Sequence, residues 1–124
     1  MSWKTENFTS KEFDSPDAPG SGELMDMGFI ELLQAARTEA GIAFNISSGY
    51  RTHLHNQFCG GVPTSAHCKG MAADVIAADS RTRFKIISAA LQVGITRIGV
   101  ASSFIHLDND PDKDPEVIWT YGRN

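Results

Sequence analysis

Phe104-Ile105-His106-Leu107-Asp108 alternates strictly: Ile105 and Leu107 fall between Phe104, His106 and Asp108. Side chains along a strand point to opposite faces with a period of two. Ile105 and Leu107 should therefore enter a core, leaving Phe104, His106 and Asp108 on the other face. Upstream, Met71-Ala72-Ala73-Asp74-Val75-Ile76-Ala77 reads as a second strand, with Ala72, Asp74 and Ile76 sharing one face. Two strands that each carry a titratable side chain among apolar neighbours set the frame for the rest of the chain.

Working outward, Ile42 to Ser48 alternates through Ile42, Phe44 and Ile46 and reads as a strand. Ile95 to Val100 is a further strand, joined to Phe104–Asp108 by a small turn, and Val117 to Tyr121 returns as an edge strand. Phe29, Ile30, Leu33 and Ala36 have helical spacing, with Asp26 as N-cap and Gly41 at the stop. A second helix is expected from a Ser80 cap to Gly94, burying Phe84, Ile87, Ala90 and Leu91. Residues 49–66 form a long loop with one helical turn, and 109–116 is a loop rich in Asp and Pro. Asp14 to Gly22 is turn chemistry, with Phe8 and Phe13 docking onto the core. Helices mixed with short strands, without regular β-α-β alternation, predict an α+β fold: a small, mainly antiparallel sheet packed with helices.

The bulk numbers exclude several classes. A chain of 124 residues is one ordinary domain able to bury a core without staples. Net charge is −4 and the few Lys and Arg are scattered, which is not the basic footprint of a nucleic-acid binder. No apolar run approaches a membrane span, and the first residues lack the apolar stretch of a signal peptide. Synthesis in the cytoplasm is the expectation, and a monomer the simplest state. Cys59 and Cys68 are too few for a disulfide framework and are expected as buried free thiols, a bridge between them being the alternative.

His67, Asp74 and His106 supply two imidazoles and one carboxylate. That donor set leaves a fourth position for water, the composition of a catalytic rather than a structural zinc site. Gly70 lets the chain bend after His67, and Ala72 and Ala73 leave room for an ion. A carboxylate in an apolar strand needs compensation, which a metal or an arginine provides. Arg51, just past Ser47-Ser48-Gly49-Tyr50, suits a substrate carboxylate or amide, or an ordinary salt bridge. His53 and His55 read as a solvated loop pair. Cys68 is set aside as a ligand because it adjoins His67.

Ser48-Gly49-Tyr50-Arg51, then Asn56 and Gly60-Gly61, then Ser65-x-His67-x-x-Gly70-x-Ala72-x-Asp74, then Phe104-Ile105-His106-Leu107-Asp108, together resemble the zinc D-alanyl-D-alanine carboxypeptidase family. That family shares its fold with the amino-terminal domain of hedgehog proteins and includes phage endolysins. The resemblance extends to Glu12-Phe13-Asp14 and Trp119, so residues 1–124 read as a single zinc peptidase-like domain. It implies one zinc ion on His67, Asp74 and His106. Arg51 would hold a substrate carboxylate or carbonyl, and Ser65 would orient the site. The partners it implies are the stem peptides of bacterial peptidoglycan, and the reaction is hydrolysis of a bond to a D-amino acid, as a carboxypeptidase or an endopeptidase. Without a signal peptide, such an enzyme reaches the cell wall if released, as a phage lysin or virion-associated protein is.

Many family members carry an acid shortly before the last zinc histidine, where this chain has Ala101-Ser102-Ser103-Phe104-Ile105. Asp108, two residues after His106 on the same face and roughly 6–7 Å away between Cα atoms, is therefore the candidate general base. The same placement suits an acceptor that orients a zinc histidine. Two other classes stay open: a zinc-containing module that binds wall peptides or a protein without turnover, and a metal-free domain with a buried Asp–Arg pair.

Overall fold

A computed structural model describes residues 2–122. Five strands form one sheet: β1 Ile46–Ser48, β2 Ala72–Ile76, β3 Arg97–Val100, β4 Phe104–Asp108 and β5 Val117–Thr120, in the spatial order β1-β2-β4-β3-β5. All neighbours are antiparallel except β3 and β5, which run parallel. The α+β expectation holds.

The alternation in β4 sorts its side chains as expected. Ile105 and Leu107 are fully buried against Val75 and Ile98 in the core, below α1 Met27–Ala40 and α3 Ser80–Val93. Their partners on the other face line a cleft. Phe8 and Phe13 close the core from the N-terminal segment, packed edge to face at 5.5 Å between ring centroids.

Helix α1 follows the sequence reading: the Asp26 carboxylate accepts from the Phe29 amide (2.9 Å), and Gly41 ends the helix at φ 68°. Helix α3 departs from it. Asp79, not Ser80, is the cap, accepting from the Thr82 amide at 2.8 Å. The buried stripe is Ile86, Ala89 and Ala90, while Phe84 and Leu91 are 72% and 48% exposed. The adjacent pairs Ile86-Ile87 and Ala89-Ala90 support two stripes about 100° apart around the helix, and packing selects the one that presents both alanines inward. Strand β1 is shorter than expected: residues 42–44 run in without a ladder, Asn45 only accepts from the Ile76 amide (2.9 Å), and the register against β2 shifts between Ile46 and Ser48. Both thiols are free, as expected, but neither is buried: Cys59 is exposed at the end of α2 His53–Phe58, and Cys68 is half-buried. Among the described residues no helix is long and apolar enough to cross a membrane.

The segment before β2 is pinned at both ends. Ala66–Lys69 forms a 3-10 turn whose Ser65 cap accepts from the His67 amide (3.2 Å). Gly70 ends it at φ 71° and its carbonyl accepts from the Asp26 amide at the start of α1 (2.9 Å). Lys69 clamps the far loop, donating to the buried Asp110 carboxylate at 2.9 and 3.0 Å and to Asp112 at 3.1 Å.

A Cβ on Gly70 would lie 2.6 Å from the Leu24 carbonyl oxygen, in a left-handed conformation that already disfavours side chains. Gly70→Ala should therefore lower unfolding stability by about 2–3 kcal/mol in urea denaturation; a change below about 0.5 kcal/mol would show that this junction yields freely.

Candidate functional site

The register of the sheet assembles the site. Asp74 in β2 lies directly opposite His106 in β4, and His106 lies opposite Gly99 in β3. The 3-10 turn brings His67 over the same place. Ligand atoms of His67, Asp74 and His106 all lie within 4.8 Å of one another, and the three residues are buried. His67 Nε2 is 3.3 Å and His106 Nδ1 3.0 Å from the same oxygen, Asp74 Oδ1.

The second nitrogen of each ring fixes what the first offers. His67 Nδ1 donates to the Gly49 carbonyl at 2.8 Å, and His106 Nε2 donates to Asp108 Oδ2 at 2.6 Å. A carbonyl and a carboxylate only accept, so in the neutral rings those nitrogens carry the hydrogens. The nitrogens aimed at Asp74 then present lone pairs, and two imidazole lone pairs and a carboxylate oxygen meet at one point. Three electron-rich atoms so placed require a positive charge among them. The donor set and the outward tethers of both rings fit a metal cation there.

Where no metal is bound, protons serve instead. Burial opposes charge on His106, but its hydrogen bonds with Asp108 and Asp74 outweigh this and raise its pKa. Burial pushes the Asp74 pKa up, yet hydrogen bonds from His106 and His67 hold it well below the usual carboxylate range.

Arg51 joins the cluster from the loop after β1. Its Nε donates to Ser48 Oγ (3.1 Å), Nη1 to Asn56 Oδ1 (3.2 Å) and Nη2 to Asp74 Oδ2 (3.4 Å). Asn56 is itself buried and donates to the Val62 carbonyl at 2.8 Å. The guanidinium is thus braced at the wall of a cleft of about 610 Å³ that also takes in His67, Asp74, His106, Ser65 and Asp108. The buried Asp–Arg pair foreseen as an alternative to a metal exists, but alongside the two histidines.

Asp108 has little left to give a solvent proton. It is 1% exposed, with Oδ2 on His106 and Oδ1 accepting from Arg97 Nε (2.8 Å) and from the Asp110 amide (3.1 Å). Of the two roles open to it in the sequence, this geometry favours orienting His106. His53 and His55 stay out of the cluster, and His55 Nε2 instead contacts Cys59 Sγ at 3.2 Å.

Sequence reasoning did not single out Arg97 or Tyr121. Arg97 packs over the Trp119 ring at 5.1 Å while holding Asp108, and Trp119 lies 5.4 Å from the His106 ring. Tyr121 lines the same wall. The available signal was the period of two through Val117, Trp119 and Tyr121, which places all three on one face.

Residues 6–108 match the family model described as Peptidase M15. No curated protein matches the chain.

Burial pushes the Asp108 pKa up, but the His106 hydrogen bond and charge, with Arg97 nearby, hold it below the usual value. Its contribution to stability is therefore complete above about pH 4 and lost as the pH falls through its lower folded value. Asp108→Asn leaves the Arg97 charge uncompensated and should cost about 3 kcal/mol at neutral pH. Its urea-unfolding stability should also fall less steeply on acidification than the wild type's; parallel acid limbs would remove Asp108 from this account.

Proposed function

We propose that this chain, which belongs to the peptidase M15 family, hydrolyses a peptide bond in the stem peptides of bacterial peptidoglycan with one zinc ion held by His67, Asp74 and His106. The observation that carries the reading is the convergence of two ring lone pairs on one buried carboxylate oxygen, at the base of an open cleft. When bound, zinc supplies Lewis acidity, lowering the pKa of a water to about 7 and polarising a carbonyl.

The protein's residues do the rest. Gly49 and Asp108 fix the tautomers of His67 and His106, so neither ring must reorganise during turnover. Ser65 holds the His67 backbone. Arg51, kept in place by Ser48 and Asn56, presents its fork to a substrate carboxylate or carbonyl in the cleft. Release as a phage lysin would bring such an enzyme to its wall substrate.

One observation favours the alternative of a wall-peptide binding module without turnover: among the described residues, the cleft is lined by no carboxylate besides Asp74 and the fully engaged Asp108. Digestion of defined muropeptides, followed by mass spectrometry and by release of new amines, separates the two. The peptidase reading expects one bond to be cut, with loss of cleavage in His67→Ala. Intact muropeptides in the presence of the fully zinc-loaded protein would leave the binding module.

Zinc must displace a proton that His106 holds more tightly than an ordinary histidine. Apparent zinc affinity, measured by chelator competition, should therefore rise between about pH 6 and about pH 8, with proton release on loading. An affinity flat across that range, or stoichiometric zinc in Asp74→Ala, would contradict the ligand assignment.

A further inference from the structure

One wall of the cleft beyond the three candidate ligands is built by β5 and the residue that follows it. Strand β5 pairs in parallel with β3, placing Trp119 opposite Gly99, and the Tyr121 amide donates to the Val100 carbonyl just past the strand (3.2 Å). Trp119 and Tyr121 therefore face the cleft together. Both lean over Gly99: a Cβ there would lie 2.7 Å from Trp119 Nε1 and 2.9 Å from Tyr121 Cε1. The missing side chain at Gly99 lets the two rings lie against the strand that adjoins His106. Phe104 holds the phenol from the other side, edge to face at 5.3 Å between centroids.

The donors around the cleft differ in what they already hold. Arg51 is bound to Ser48, Asn56 and Asp74, and Arg97 to Asp108 and the Asp114 carbonyl. Lys113 faces the Asp110 carboxylate at 3.6 Å. Ser65 Oγ serves the His67 amide. That contact uses Ser65 Oγ as an acceptor, so the Ser65 and Tyr121 hydroxyls alike donate to no acceptor among the described residues; of the two, Tyr121 stands on the wall beside Trp119, next to His106. The Trp119 indole hydrogen-bonds to the phenol oxygen, while partial burial, followed by the nearby Asp74 charge, raises the phenol's pKa. Tyr121 also lies beyond residues 6–108, the part of the chain that matches the family.

We propose that the Tyr121 hydroxyl is a catalytic hydrogen-bond donor to the oxygen of the scissile carbonyl, held for that oxygen by Gly99, Phe104 and Trp119. The inference rests on the peptidase reading above. As water adds to the carbonyl carbon, negative charge gathers on that oxygen. The phenol strengthens its hydrogen bond there and keeps its proton throughout. When the C–N bond breaks, the charge collapses back into the new carboxyl group and the water-derived proton leaves with the amine. A donor placed for developing charge contributes more to the transition state than to substrate binding.

Tyr121→Phe keeps the ring, its contact with Phe104 and its seat over Gly99, so the variant should fold and load zinc as the wild type does. With the muropeptide the wild type cleaves, kcat should fall by about 10²-fold while KM and zinc content hold. A phosphinate isostere of the cleaved bond, titrated calorimetrically into the zinc-loaded protein, should bind more weakly by the factor lost in kcat/KM, while the cleavage product binds equally to both proteins. Unchanged kcat and unchanged phosphinate affinity would overturn the role of Tyr121 alone. A rise in KM at constant kcat would also overturn it, making the phenol a ground-state contact. A wild type that cleaves no muropeptide when fully loaded would bring down the peptidase reading and this proposal with it.

Discussion

The rest of the site depends on a repulsion that must be relieved. His67 Nε2 and His106 Nδ1 both point at Asp74 Oδ1, at 3.3 and 3.0 Å, inside a buried pocket. Each ring is tethered from behind, by the Gly49 carbonyl and the Asp108 carboxylate, so neither can turn its lone pair away. Burial removes the water that would otherwise screen the cluster, and an uncompensated charge in such surroundings costs several kcal/mol. A proton or a metal cation resolves the conflict, with Arg51 contributing from 3.4 Å. The geometry is that of a cation site whose ligands are held in place before the cation arrives.

The tethers extend outward in order. Asp108 receives Arg97, Arg97 packs on Trp119, and Trp119 packs beside His106 again. The cleft wall and the candidate ligands therefore share one closed set of contacts. Lys69, the last residue of the 3-10 turn that carries His67, binds the loop that follows Asp108. Displacing any member shifts a ring nitrogen, so residues that never touch a substrate still govern the site.

Much of this was readable in the chain. The alternation in Phe104–Asp108 sorted core from cleft correctly, and the caps Asp26 and Gly41 bounded α1 because each acts through local backbone geometry. His67, Asp74 and His106 were chosen for donor type and spacing, and the fold brings them together. What escaped was decided by tertiary contact. The face of α3 could not be chosen where Ile86-Ile87 and Ala89-Ala90 offer two, and the exposure of Cys59 followed from α2 lying at the surface. The engagement of Asp108 hinged on Arg97, which is 11 residues away in sequence and adjacent only once β3 pairs with β4. Tyr121 was missed because its place depends on an empty space, the absent side chain of Gly99.

Asp74, His106, Gly99 and Trp119 occupy one rung that runs across β2, β4, β3 and β5. Moving any of these strands by a single residue would turn its side chains to the other face and dismantle the rung. Asp74 and His106 are 32 positions apart, so the rung closes only after non-local pairing is complete. A cation that recognises the rung therefore recognises the finished sheet and not the unfolded chain. Bound metal would then act as a latch on the native register, and chelators would loosen the whole sheet as well as disarm the cleft.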